Sequence, residues 1–387
     1  MKKVIWKILS YVLVATVAAV TTLLCCVIDQ QKNQSKLDEL DVVLDNYFIG
    51  DHDQAKLEDA AARAMVEALG DQWSYYMTAA EYREQQEYMS NSYVGVGITV
   101  RILEDGRGYE VLEVLSGGPA EAAGILAGDQ IVAVDGTPLL GQDLASGSDM
   151  IRGDEGTKVS LTLLRGEEQK TVTVERRRFQ SVVASGELLE GNIGLVTIEN
   201  FDSRCADETI AAIEALKQQG ATAFVFDVRN NPGGYKDELV KVLDYLLPEG
   251  EIFRTEDYRG QVAVDKSDAA CVDMPMAVLV NLNSYSAAEF FAAALNDYDA
   301  ALVVGEKTYG KGYFQTSIEL SDGSAVNLSI GKYYTPKGIS LAGVGLTPEV
   351  EVPVDDDTAA SIYYGTLAPE EDPQIQAAIT ALRNDGK

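Results

Sequence analysis

Apolar positions change their spacing several times along the chain. Ile8 to Ile28 is an almost uninterrupted apolar run of 21 residues, preceded by Lys2, Lys3 and Lys7 and followed by DQQKNQ. That length suffices to cross a hydrocarbon core, and lysines on the short leading side predict a cytoplasmic N-terminus. A cleavable signal peptide is the alternative, but its apolar region is shorter and no A-x-A site is present here. An uncleaved single-pass anchor is expected, with residues 30–387 outside the cytoplasm. From Leu37 the spacing becomes helical: Leu37, Leu40, Val43, Leu44 and Tyr47, then Leu57, Ala61, Ala64, Met65 and Ala68 before a stop at Gly70. This stretch predicts a helical stalk or a dimer-forming arm.

From Tyr93 the period shortens to that of strands. YVGVGITVRI, YEVLEVL, DQIVAVDGTPL, KVSLTLLR and KTVTVERR are short, β-rich and bounded by Gly, Asp or Pro. SGGPAEAAGILAGD and SDMIRG add two short helices, giving a compact β-rich module. After Arg178 strands and helices alternate. NIGLVTI, AFVFDVR, MAVLVN and ALVVGEK are strands, three of them continuously apolar; CADETIAAIEALKQQG and DELVKVLDYLL are helices. Such alternation predicts an α/β core with ligand chemistry at the carboxyl ends of strands. YFQTSIEL, AVNLSIGKYYTP and VGLTPEVEV are further strands. The fold class expected is therefore α+β/α/β and multi-domain.

Charge narrows the function classes. The net charge of −30, with no cluster of Lys and Arg, argues against a nucleic-acid partner. Cys25 and Cys26 lie in the apolar run, Cys205 and Cys271 are isolated, and there is no CxxC or Cys/His cluster. Neither a disulfide framework nor a metal site is expected, and no cofactor. His52 is the single histidine and lies far from any turn of interest, so serine chemistry would need another base.

Three turns follow the buried strands: DVRNNPGG (227–234), NLNSYSAAE (281–289) and EKTYGKG (306–312). The second holds Ser284 and Ser286, and Ser286-Ala-Ala-Glu289 fits a capping box, so a capped helix start is the plain alternative to a nucleophile. In the third, Lys311 lies between Gly310 and Gly312, where backbone can approach and strip water from the ammonium. A neutral lysine can serve as a base for serine. Gln315 lies four residues on and could orient the amine; a solvated turn lysine is the alternative.

Two resemblances bear on these alternatives. YVGVGI, GGPAEAAGILAGDQIVAVDG and IRGDEGTKVSLTLLR together resemble a PDZ domain of bacterial proteases. This implies a carboxylate-binding loop at Val94, Gly95, Val96, Gly97 and Ile98, with peptide C-termini as ligands. The serine turn, GEKTYGKG, FDVRNNPGG and YYTPKGISLAGVGLTPEVEV resemble the C-terminal processing peptidases, or tail-specific proteases, which pair a PDZ domain with a serine/lysine site. The resemblance covers roughly residues 37–355. It implies a ClpP/crotonase-like core, Ser286 as nucleophile, Lys311 as base 25 residues on, and Gln315 as the third catalytic position. A helix N-terminus offers free N–H groups, so the Ala287 N–H with that of Gly233 or Gly234 would form the oxyanion hole. Glu289 is assigned to capping, and Asp227 and Arg229 to structure. Tyr285 and Ala288 depart from the family's small residue and serine, which bears on substrate preference.

The organisation expected is an anchor or signal at 1–29, a helical region at 30–91, a PDZ domain at 92–178, a protease core at 179–353 and an acidic tail at 354–387. The expected activity is a membrane-anchored serine endopeptidase of a bacterial cell membrane, acting on extracytoplasmic proteins with exposed C-termini. Two rivals stand beside it: a tethered PDZ module on an inactive scaffold, and a protease held off until a partner releases the PDZ domain.

Overall fold

The computed structural model describes residues 35–385 except 104 and 116, together with Thr16. The apolar run expected to span a membrane falls outside the described residues, apart from Thr16. Among the described residues no helix is long and apolar enough to cross a membrane. The chain divides into two units, Met1–Ala62 and Arg63–Lys387. In the first, the helix Lys36–Tyr47 opens on a reciprocal cap: Ser35 Oγ accepts the Asp38 N–H at 3.2 Å, and Asp38 accepts the Ser35 N–H at 2.8 Å. This helix buries none of its residues.

The second unit begins with a difference from the helical expectation. Tyr75–Met77 is a strand, paired antiparallel with Ala325 to Asn327. Local spacing cannot register a partner 250 residues away, yet that partner is what buries Tyr76 and Met77. The helix Ala79–Met89 follows, capped by Thr78 and Glu81.

The β-rich module forms as expected, around Tyr109, Val111, Ile131, Leu161 and Leu163. Its sheet runs Ile98–Ile102, Tyr109–Val114, Gln130–Val134, Lys158–Arg165 and Glu168–Glu175, all antiparallel. YVGVGITVRI is two strands rather than one. Ser92–Gly95 leaves this sheet to pair with Arg177–Gln180, and the chain turns at Val96 and Gly97.

The core sheet has six strands in the order Ala184–Leu189, Ile193–Ile198, Ala223–Asp227, Met276–Val280, Ala301–Gly305 and Val350–Glu351. Only the first pair is antiparallel. Parallel strands covered on both faces read as continuous apolar runs, and that is why AFVFD and MAVLV contain no polar alternation. Phe224, Phe226, Val278, Val280 and Val303 face the helices Cys205–Gln218, Lys236–Leu246 and Ala287–Asp297. Val225, Ala277, Leu279 and Val304 face the other way.

What covers that second face is the segment expected to be an acidic tail. The helix Pro373–Asp385 packs Ile375, Ala378, Ile379 and Leu382 against it. These four recur at helical spacing, but the acidic residues around Pro369 dominate the composition and mask them. Arg229, 4 % exposed at its side chain, ties this helix to the core by ion pairs to Asp227 at 2.5 Å and Asp372 at 2.8 Å. It also donates to Gln374 Oε1 at 2.9 Å.

A second, antiparallel sheet joins Tyr75–Met77, Ala325–Tyr334, Gly250–Asp257 and Val262–Ser267, with Tyr313–Glu319 alongside Ala325–Tyr334. The hairpin over 250–267 has one wet face, and its polar residues hide it from a search for apolar runs.

Removing Arg229 would leave two carboxylates facing each other in the interior. Arg229→Met should therefore lower the unfolding free energy by roughly 3–5 kcal/mol, seen as a fall in urea midpoint. Arg101→Ala, which breaks an exposed pair with Glu110, should cost under about 1 kcal/mol.

Candidate active site

Three strands of the core sheet, Ala223–Asp227, Met276–Val280 and Ala301–Gly305, end on the same edge because they run parallel. Their following turns therefore meet. Asn281 links the first two: its Oδ1 accepts the Asn230 N–H at 2.9 Å, and its Nδ2 donates to Asn230 Oδ1 at 2.9 Å.

The two serines of the second turn separate at once. Ser284 is fully buried; it donates to the Val228 carbonyl at 2.7 Å and accepts the Asn281 N–H at 3.0 Å. Its hydroxyl is committed to holding the turn. Ser286 instead takes φ 58° and ψ −121°, a costly conformation for a side chain with a Cβ. Its N–H donates to Glu289 Oε1 at 3.1 Å, and its hydroxyl lies against the phenol of Tyr333.

Gly233 and Gly234 bring backbone against this serine. A Cβ on Gly233 would lie 2.7 Å from Ser286 Cβ, and one on Gly234 would lie 2.3 Å from the Phe201 carbonyl carbon. Side chains at these positions would force the turn away. The Gly233 N–H is already given to Asn231 Oδ1 at 2.8 Å. Among the described residues the Gly234 N–H has no hydrogen-bond acceptor, and the Ala287 N–H lies in the first helical turn, where no intrahelical acceptor exists. Of the two glycines expected to supply an oxyanion donor, only Gly234 has its N–H free.

Lys311 is placed by its backbone. Gly310 and Gly312 on either side press so closely on the 341–345 segment that a Cβ would meet Gly345 N at 2.8 Å and Ala342 N at 2.2 Å respectively. The Lys311 N–H donates to Glu289 Oε1 at 2.7 Å, the Gly310 N–H to Glu289 Oε2 at 2.9 Å, and the Thr308 hydroxyl to the same oxygen at 3.0 Å. One fully buried carboxylate thus holds the backbone of both Ser286 and Lys311. Burial raises its pKa, against the pull of those donors.

The Lys311 amine rests 4.8 Å from the centre of the Trp73 ring. Tyr285 and Tyr309 complete an aromatic group with Trp73, at centroid distances of 5.5 to 6.5 Å. Burial lowers the Lys311 pKa, while the charges of Glu289 and Asp71 act to raise it; burial prevails. Gln315 donates its amide to the Tyr313 carbonyl and to Ser329 Oγ, both at 3.2 Å.

Ser286, Ala287, Gly233, Gly234, Lys311 and Gln315 all line one cleft of about 1140 Å³. The residues expected for peptide binding are elsewhere. Val94 and Gly95 pair with Arg178 and Arg177, the Val96 and Gly97 carbonyls accept from Ala120 and Leu115, and Ile98 pairs with Val114. None of these five lines the cleft.

Residues 192–352 match Peptidase family S41 and residues 110–165 match a PDZ domain. A Staphylococcus saprophyticus protein named "Probable CtpA-like serine protease" is 34% identical over 84% of this chain and 66% of its own length. The chain belongs to peptidase family S41. The structure of a photosystem II D1 C-terminal processing protease superposes with TM-score 0.50 and 29% identity, over 82% of this chain and 87% of that one. A putative S41 protease from Bacteroides fragilis shares the fold, with TM-score 0.62 and 16% identity over 83% and 90%. The chain thus spans about two thirds of the length of the curated relative it matches.

Sequence reasoning missed part of this candidate site. Trp73 carries no local motif, and Tyr309 and Tyr333, though inside GEKTYGKG and YYTPKG, carry no signal of their own; Trp73 and Tyr333 line the cleft and Tyr309 packs on Trp73 only through tertiary structure. Glu289 was assigned to its own helix, whereas it also anchors the lysine turn.

Because the Glu289 charge acts to raise the Lys311 pKa, Glu289→Gln should lower that pKa further. A pH titration of the lysine side-chain carbon resonances should show the displacement. Glu289→Ala should cost more stability than Glu289→Gln, since five donors lose an acceptor.

Proposed function

We propose that this S41 member is a membrane-anchored serine endopeptidase, a carboxy-terminal processing peptidase acting on extracytoplasmic proteins. The observation that carries this is the convergence of Ser286, a desolvated Lys311 and two free N–H groups on one cleft. Lys311 in its neutral form accepts the Ser286 Oγ proton as that oxygen attacks the scissile carbonyl. The Ala287 and Gly234 N–H groups receive the developing oxyanion, each worth on the order of 3 kcal/mol. The Lys311 ammonium then protonates the leaving amine. Water, deprotonated by the neutral lysine, hydrolyses the acyl-enzyme and regenerates Ser286.

For this chemistry the amine must leave the face of Trp73 and turn to the serine, with the Gln315 amide oxygen orienting it. Among the described residues no hydrogen bond joins Lys311 Nζ to Ser286 Oγ, which favours a resting state in the free protein. Apo catalytic contacts commonly tighten only with substrate bound. The PDZ domain captures the substrate's apolar C-terminus at Val94, Gly95, Val96, Gly97 and Ile98, and its occupancy gates that motion. The name of the D1 C-terminal processing protease supports C-termini as the substrate class.

The apolar run from Ile8 to Ile28 serves as the anchor and sets the catalytic part outside the cytoplasm. Leu37, Leu40 and Val43, 43 to 50% exposed, support pairing of two arms in a homodimer.

The full chain in detergent should cleave an unfolded protein. Ser286→Ala or Lys311→Ala should reduce kcat/KM by a factor on the order of 10⁴ or more with unchanged circular dichroism. Peptide binding with neither turnover nor acylation by a fluorophosphonate would instead identify a tethered tail-binding receptor. The rate should rise with pH through the Lys311 pKa, at a value below the 10.5 of a free lysine, because only the neutral amine accepts a proton. A rate independent of pH over that range would exclude lysine as the base.

A further inference from the structure

One charged group of the cleft has neither a part in the mechanism nor, among the described residues, a partner. Asp202 follows the strand Ile193–Ile198 and precedes the helix Cys205–Gln218. Its neighbour Phe201 pairs with the glycine loop: the Phe201 N–H donates to the Gly233 carbonyl, and the Phe201 carbonyl accepts the Tyr235 N–H, both at 2.7 Å. Asp202 is therefore one residue removed from the backbone that presents the Gly234 N–H, and it lines the same cleft as Ser286 and Lys311.

Asp202 is only 3% exposed, yet among the described residues its carboxylate has neither a hydrogen bond nor an ion pair. Other charged side chains of the cleft are matched. Lys236 bonds Asp265 at 2.9 Å and lies 3.6 Å from Asp237, Lys241 bonds Glu238 at 2.7 Å, and Lys311 rests on Trp73. Arg204 Nε is the one sealed side-chain polar atom without a partner among the described residues. The Asp202 oxygens are thus not sealed, and the opening that this residue lines is the cleft.

Tyr88 and Tyr235 line the same cleft as this carboxylate. Burial raises the pKa of Tyr88, Tyr93 and Tyr235, and the Asp202 charge adds to each shift. An unpaired carboxylate stripped of water is costly. Aromatic walls suit the methylene stem of a long cationic side chain, and their faces attract its charged head.

We propose that Asp202, walled by Tyr88 and Tyr235, is a subsite of the cleft for a lysine or arginine side chain of the bound polypeptide. The subsite deepens the peptidase assignment and rests on it for the identity of the ligand. A cation entering here restores the counter-charge that the fold omits, and an acidic residue at the same position is rejected. Burial pushes the Asp202 pKa up to about 7. The groups facing it stay neutral around that pH: Tyr88 and Cys205 are each pushed up to about 12, and Tyr93 and Tyr235 are raised as well. The cation preference is therefore present above pH 7 and fades below it, as the carboxylate takes up a proton.

The test is binding of labelled, unstructured peptides to the full chain carrying Ser286→Ala, read by fluorescence anisotropy. Each peptide residue in turn is lysine or its neutral isostere norleucine. At one position lysine should bind about tenfold tighter at pH 8, with the ratio approaching one at pH 6. Adding Asp202→Asn should bring the ratio near one at both pH values, and Asp202→Glu should restore part of it. Tyr88→Leu should reduce the ratio, which provides a second arm if the Asp202 variants fail to fold. A lysine preference at no position, or one unchanged by Asp202→Asn and Tyr88→Leu, would overturn the proposal. Since this protein lacks the Ser286 hydroxyl, absence of turnover in the unaltered chain would sink the peptidase assignment without affecting the binding result.

Discussion

The candidate site depends on a carboxylate that does not itself face the substrate. Glu289 is wholly buried, and burying an ion without partners would be prohibitive. Its oxygens accept from Ser286 N, Lys311 N, Gly310 N and Thr308 Oγ1. Two of those donors belong to the backbone of the candidate nucleophile and the candidate base. A single anion therefore fixes where the two turns lie relative to each other, and any displacement of one turn leaves a buried charge under-bonded.

Around that anchor the site is assembled by parallel strands. Because Ala223–Asp227, Met276–Val280 and Ala301–Gly305 run the same way, three turns distant in sequence open on one edge. Asn281 and Asn230 join the first two turns, and Glu289 joins the second and third. Glycines occupy the points where backbone must touch backbone, at 233, 234, 310 and 312. The helix Pro373–Asp385 supports the arrangement from the far side of the sheet, where Arg229 couples it to the end of Ala223–Asp227. This gives Asp227 and Arg229, read from the sequence as structural, a defined partner in Asp372.

Elements with a strong local signal were legible from the chain alone. AFVFD and MAVLV stand out because burial on both faces makes every position apolar, and CADETIAAIEALKQ carries clear helical spacing. The strand Tyr75–Met77 and the hairpin over 250–267 were not legible, because their stability comes from cross-strand partners and a half-wet surface. Residues 354–387 were read as a tail because acidic composition outweighed four well-spaced apolar residues in a short helix. In the site, the serine, lysine and glycine turns had recognisable motifs, while Trp73 had none and Tyr309 and Tyr333 lay within motifs that gave them no role.

By itself the sequence determined the kinds of element, the order of the modules and the residue types available for chemistry, since hydrophobic period and turn chemistry are properties of neighbouring residues. The resemblance singled out Ser286 over Ser284 but left Gly233 and Gly234 open, and only tertiary structure shows how the members of each pair differ. Those pairs differ in what their hydroxyl or N–H is bonded to, and the acceptors come from other segments of the chain. The same holds for the Lys311 amine and the Asp202 carboxylate. Whether a side chain keeps its water and its counter-charge is set by what packs against it, and no window of adjacent residues contains that information.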